Sequence, residues 1–205
     1  MHAIEDHKRI IALLKHEVVP AMGCTEPVAV ALCAARAAEL LGTLPERVKV
    51  ELSMNVLKNA MGVGIPGTGM IGLPIAIFLG MGIGKSSYGL EVLKDNHAQA
   101  VEEGKQYIEG GRISIALDEN APDGLYIKVH AEGDGRTSEA IICGEHTRFI
   151  YEAIDDEVLR KEDVKARASE EHDEPTLTMS KIYDFVTQTP IEEISFIEDS
   201  ATMNM

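Results

Sequence analysis

RISIALDENAPDGLYIKVHAEGDGRTSEAIICGEHTRFIYEA, residues 112–153, decides the fold class. Apolar and polar side chains alternate through Ile113–Leu117, Leu125–Ala131, Thr137–Cys143 and Thr147–Ala153, the two-residue period of strands with one buried face. The links between them, ENAPDG, EGDGR and GEH, are rich in turn formers. This stretch predicts an antiparallel meander.

Upstream the period lengthens. Ile4, Ile10, Ile11, Leu14 and Val18 recur at helical spacing, so a first helix is predicted from about Ala3 to Val19, ended by Pro20. In AMGCTEP, Gly23 makes the turn, Thr25 is the expected N-cap and Pro27 lies in the first turn of a second helix running to about Leu41. That helix is Ala- and Leu-rich and apolar nearly all round, the pattern of a buried helix. Val48, Val50, Leu52 and Met54 alternate with Lys49, Glu51, Ser53 and Asn55 as a further strand, which leads into a glycine-rich loop, LKNAMGVGIPGTGMIGLP (57–74). A short helix is predicted from Pro74 to Leu79, then a loop, GMGIGKSSYG, then a helix from about Asp95 to Glu109 stopped by Gly110 and Gly111.

Downstream, residues 152–174 carry ten acids against four Lys or Arg, a solvated linker or helix face. Residues 177–205 read as helical, interrupted by Pro190, with the pattern still running at Met205. The prediction is α+β: N-terminal helices, a mostly antiparallel sheet with the meander at about 112–153, and a C-terminal helical region. Residues 1–154 form the domain, and 155–205 form an acidic linker and helical segment expected to continue into a C-terminal half.

Composition excludes several functions. A net charge of −15 with no basic run, no Trp and 4% aromatics opposes nucleic-acid binding. The N-terminus lacks a signal-peptide layout, and the longest nearly charge-free run, 59–83, is broken by Gly and Pro, so no membrane span is expected. Three cysteines without CxxC spacing make no disulfide framework, which fits a reducing, cytoplasmic setting.

The 57–74 stretch holds five glycines, with Lys58, Asn59 and Thr68 as its polar side chains, a composition suited to holding something small. Residues 62–67 match G-x-G-x-x-G after a strand, but Pro66 stands where backbone NH groups should cradle phosphate and no helix opens there, so the dinucleotide reading is rejected. Gly84-Lys85-Ser86 ends like a P-loop, but its leading glycine, Gly80, is one residue too close.

Cys24 precedes a helix N-terminus, which favours a thiolate by about 0.3–1 kcal/mol, less than the ~1.4 kcal/mol of one pKa unit. Ionisation therefore needs a metal or Lys58 nearby; an inert, buried thiol is the equal alternative. Cys33, nine residues on, faces the opposite side ~13 Å away, and Cys143 falls in a strand. One thiolate does not hold an iron–sulfur cluster, so further ligands would lie outside this sequence. Glu26 is either a helix-dipole partner or a general base.

Gly23-Cys24-Thr25-Glu26-Pro27 followed by Lys58-Asn59-Ala60-Met61-Gly62-Val63-Gly64-Ile65-Pro66-Gly67-Thr68 resembles the L-cysteine desulfidase family, related to the alpha part of the iron–sulfur L-serine dehydratases. The similarity runs through most of the chain and covers the family's N-terminal half. It implies a lyase of amino-acid catabolism with a [4Fe–4S] cluster and no pyridoxal phosphate, converting L-cysteine to pyruvate, ammonia and hydrogen sulfide, or L-serine to pyruvate and ammonia. In that mechanism an iron lacking a Cys ligand acts as Lewis acid on the substrate.

Cys24 falls on the family's proposed cluster ligand. The other ligands belong to a missing C-terminal half or partner subunit, so activity of this chain alone is not expected. Lys58 and Glu26 are the catalytic expectations. Thr25, Asn59, Gly62, Gly64, Gly67 and Thr68 are the expected substrate-binding positions, and a homo-oligomer is expected. The alternative is a non-catalytic anion- or amino-acid-binding or assembly module with Cys24 structural.

Overall fold

The computed structural model describes residues 2–155, 157–164 and 175–203. The chain divides into two compact units, residues 21–168 and residues 1–20 with 169–205. This differs from the division expected near residue 154, because the first helix groups with the C-terminal segment.

Among the described residues of the larger unit, strands form a six-stranded sheet in the order β4-β1-β5-β6-β7-β8. β1 is Arg47–Leu52, β4 Ile113–Leu117, β5 Tyr126–Gly133, β6 Arg136–Cys143, β7 Phe149–Ile154 and β8 Glu157–Lys161. The fold is α+β and the pairing mostly antiparallel, as predicted, with β5, β6 and β7 forming the meander. β4 leaves it. It pairs parallel with β1, Val48 opposite Ile113, while β1 takes the antiparallel place beside β5. A parallel pair needs a long crossover, and residues 53–112 supply one built of helices. β8 escaped the sequence reading because every one of its residues is exposed, so no alternation marks it.

Alternation places Val48, Val50, Leu52, Ile127, Val129, Ala131, Ala140 and Ile142 in the core. On the opposite face Lys49 pairs with Glu51 at 2.7 Å and Lys128 with Glu139 at 3.3 Å, a polar ladder facing solvent. Helices α2 (Thr25–Leu41) and α4 (Leu73–Ile83) pack in the same core. α2 is buried along most of its length, as its all-round apolar pattern requires. Gly80 of α4 lies directly against the Ala31 backbone of α2. The glycine considered as a P-loop residue is a helix-crossing residue.

Several local expectations are corrected. β1 stops at Leu52, because the Ser53 hydroxyl accepts from Val56 N at 3.5 Å and caps α3 (Met54–Ala60), leaving Met54 exposed. The 57–74 stretch is therefore not one loop: α3 carries Lys58 and Asn59, and β2 (Gly64–Ile65) and β3 (Met70–Ile71) form a small hairpin. α4 continues to Ile83, through the first residues of the expected GMGIGKSSYG loop. α5 is Ala98–Glu109, begun by the His97 ring accepting from Ala100 N at 3.2 Å.

The smaller unit contains α1 (His2–Glu17), α6 (Met179–Gln188) and α7 (Phe196–Met203), with Pro190 interrupting the helical run as predicted. Ile10 and Phe185 are buried, the His7 ring lies 5.1 Å from Phe185, and Lys181 pairs with Asp6 at 2.8 Å. The acidic linker expected at 152–174 falls partly on 165–174, outside the described residues. None of the described helices is long and apolar enough to cross a membrane.

Candidate functional site

The two sequence motifs meet at the start of α2. Gly23 has φ +94°, open to glycine and strained for other residues, and a Cβ there would sit 2.9 Å from Cγ of Pro66. The turn before Cys24 thus lies against the tip of the β2–β3 hairpin.

Cys24, not Thr25, is the N-cap of α2, and its side chain caps no backbone NH. The Cys24 thiol instead donates to Glu26 Oε2 at 3.1 Å. The Thr25 hydroxyl donates to the same oxygen at 3.3 Å, and the Asn59 amide donates to Glu26 Oε1 at 3.1 Å. Three donors from two distant segments converge on one carboxylate.

Their electrostatics follow. The Cys24 hydrogen bond, with help from Asn59 and Thr25, lowers the Glu26 pKa below the usual carboxylate range despite partial desolvation. Desolvation and then the Glu26 carboxylate raise the Cys24 pKa above its ordinary value. The thiolate favoured by the helix terminus is overridden by desolvation of the sulfur and by the anion beside it. The site rests as thiol plus carboxylate, a pair in which Glu26 is placed to take the sulfur's proton.

Glu26→Gln should therefore speed alkylation of Cys24 by iodoacetamide at pH 8, because removing the carboxylate lowers the thiol pKa and each unit is about tenfold in thiolate. Cys33 and Cys143 are fully buried, so the native rate reports Cys24. An unchanged or slower rate would overturn the pairing.

The other predicted residues divide. Lys58 is exposed on α3 and is not part of the hydrogen-bonded group around Glu26. The Thr68 hydroxyl is occupied inside the hairpin, donating to Ile65 O at 2.7 Å and accepting from Met70 N at 2.9 Å. Gly67 needs its positive φ (+74°) for the hairpin turn, whereas Gly62 and Gly64 have open space where a side chain would project.

Asn96 was missed by the sequence reading. Its amide donates to Pro66 O at 3.2 Å, fastening the hairpin tip, and its buried Oδ1 has no hydrogen-bond partner among the described residues. Its only sequence signal is an Asn shortly before a helix, an ordinary pattern.

A separate cleft of about 600 Å³ at the carboxyl ends of β1 and β4 is lined by Ser53, Asn55, Asp118, Glu119 and Asp123 among others. Its three acids would repel an amino acid's carboxylate, so it is a poor seat for that substrate.

Relatives match nearly the whole chain. A UPF0597 protein of Phocaeicola vulgatus is 55% identical over 204 residues, covering 100% of this chain and 47% of the relative. One of Parabacteroides distasonis is 50% identical over 199 residues, covering 96% of this chain and 46% of its own length. One of Aeromonas hydrophila is 46% identical over 198 residues, covering 95% and 45%. The chain spans about half the length of the curated relatives it matches. No family model matches it.

The donor set can be weighed against an iron–sulfur cluster, which takes about four thiolates or near equivalents. Cys33 is fully buried, its thiol aimed at the backbone carbonyls of Ala140 and Ile127, and burial pushes its pKa strongly up. Cys143 is buried too. Among the described residues no group of three His, Cys, Asp or Glu could hold a metal ion. These residues offer one accessible thiol, with a carboxylate beside it, and do not by themselves fit a cluster.

Proposed function

We propose that this chain is the N-terminal half of an iron–sulfur-dependent, β-eliminating amino-acid lyase. Its reaction would convert L-cysteine and water to pyruvate, ammonia and hydrogen sulfide, or L-serine to pyruvate and ammonia. The supporting observation is the hydrogen bond from Asn59 to Glu26, which joins the two motifs that carry the family resemblance across 33 residues of sequence. In this reading Cys24 contributes one cluster ligand and the others come from outside this chain.

The roles of this chain's own residues follow from their chemistry. Glu26 would relay the Cys24 thiol proton on to solvent as the sulfur becomes a ligand, leaving the sulfur as a soft donor and Glu26 itself as the free carboxylate. Asn59 and Thr25 hold the carboxylate in place for that transfer. Lys58 and the backbone amides of the hairpin stand for the substrate carboxylate, an anion that needs donors. Elimination removes the α-proton to a base, for which Glu26 is the preferred group. The released pair forms the Cα–Cβ double bond as the Cβ–S or Cβ–O bond breaks, and the leaving group is protonated. The aminoacrylate then tautomerises and hydrolyses to pyruvate and ammonia.

Full-length protein carrying this segment, purified anaerobically, should contain iron and sulfide and form pyruvate from one of the two amino acids without added pyridoxal phosphate. Iron-free protein that forms pyruvate from neither would overturn the reading. A melting shift with L-serine in the 205-residue chain, beside iron-free full-length protein, would instead favour a binding module.

A further inference from the structure

The smaller unit carries a helix whose polarity is reversed. An ordinary surface helix turns its apolar stripe inward and its polar face to water. In α6 the residues that line a cavity of about 370 Å³ with Asp6, His7 and Ile10 of α1 are Lys181, Asp184, Phe185 and Gln188, three of them polar. Lys181 is tied there to Asp6 at 2.8 Å. The outward side holds Met179, Ile182, Tyr183 and Val186, which are 81%, 41%, 69% and 67% exposed. Their spacing, i, i+3, i+4 and i+7, puts them on one face.

That stripe is not alone. Leu177, Ile191 and Ile197 of the same unit are also exposed, and among its described residues Ile10 and Phe185 are the large hydrophobics that reach burial. Exposed apolar side chains gathered on one helix face mark an interaction site.

The occupant is indicated by length. The relatives align with this chain through this region and extend about as far again, since it covers 47% of the Phocaeicola vulgatus protein and 45% of the Aeromonas hydrophila protein. We propose that the outward face of α6 is the docking surface for the remaining half of the longer polypeptide, received through an apolar helix face of that half. The four-residue repeat is the knob pattern that seats into a facing helix. The inference does not rest on the lyase reading, and its test reads binding instead of turnover.

The probe is the part of the Phocaeicola vulgatus relative that lies outside the matched region, co-expressed with this tagged 205-residue chain. A 1:1 complex is expected on co-purification, and Tyr183→Glu with Val186→Glu should reduce it at least tenfold. Both side chains are exposed, so the doubly substituted chain should keep its circular dichroism spectrum and melting temperature; Met179→Gln with Val186→Gln serves as a milder pair if it does not. Absence of a complex with a relative's segment that is itself folded by circular dichroism, or one that survives both pairs of substitutions, would overturn the proposal. Concentration-dependent dimerisation of this chain alone, abolished by the same substitutions, would overturn it in favour of a second copy.

Discussion

Gly80→Ala is expected to destabilise the sheet unit by about 3 kcal/mol, at the upper end of the usual range for overpacking a core. Helix propensity alone predicts the opposite sign, since Ala in a helix interior is favoured over Gly by roughly 0.5–1 kcal/mol. Geometry decides. The added Cβ would lie 2.8 Å from the Ala31 carbonyl carbon and closer still to its oxygen, and the backbone of a fully buried residue cannot turn aside as a side chain can. α2 and α4 would have to separate, opening contacts along a core that includes Leu32, Ile77 and Leu79. Thermal melting followed by circular dichroism should fall by roughly 6–12 °C for a chain of this size. The control is Gly82→Ala, two residues on in the same helix. There the nearest atoms are Phe78 ring carbons at 3.5 Å, an ordinary contact, so propensity should win and stability should hold or rise slightly. Equal effects at the two positions would contradict the described crossing of α2 and α4.

That contrast also marks where sequence reading reaches its limit. The buried α2, the meander strands and the helix break at Pro190 were legible because each is a local pattern: an apolar surround, a two-residue period, a residue without an NH. The departure of β4 from the meander was not, because pairing with β1 depends on a crossover of some sixty residues and both strands alternate alike. Met54 continued the alternation of β1, and only the Ser53 cap shows where the backbone turns. At the site, Cys24 and Glu26 are neighbours in sequence and their pairing was within reach. The sign of the thiol's shift was not, because the helix terminus opposes both desolvation and the carboxylate, and only the folded surroundings of the sulfur, with its 3.1 Å contact to Glu26, say which prevails. Asn59 was named from the motif, but its partner stands 33 residues away. Asn96 acts through a backbone carbonyl of Pro66, a contact with no sequence signature. The outward stripe of α6 was read simply as helix, since periodicity reports that a face is apolar and not which face a neighbour already covers.

Within the proposed lyase, substitutions around Glu26 should produce graded losses, and the grading separates a chemical role from a structural one. Cys24→Ala should lower both iron content and pyruvate formation, because it removes the chain's accessible thiol. Glu26→Gln keeps the shape and can still hydrogen-bond to Cys24 and Asn59, but it cannot accept a proton. A general base typically contributes 10²–10⁴-fold, so turnover should fall by about that factor while the melting temperature stays near that of the parent. Asn59→Ala removes one of three donors to the carboxylate, leaving proton-accepting capacity but a less fixed orientation, and a loss of roughly tenfold is expected, the scale of one hydrogen bond to a charged group. The pH profile supplies a further discriminator. Asn59 donates to the Glu26 carboxylate, so the acid limb of kcat/KM should move up in Asn59→Ala, as the carboxylate loses a partner that favours its charged form. A purely structural Asn59 would lower stability without moving that limb. If Glu26→Gln retains full turnover and the acid limb is unchanged in Asn59→Ala, the carboxylate is a helix-terminus partner alone, and the base must be sought elsewhere, with Lys58 the first residue to substitute.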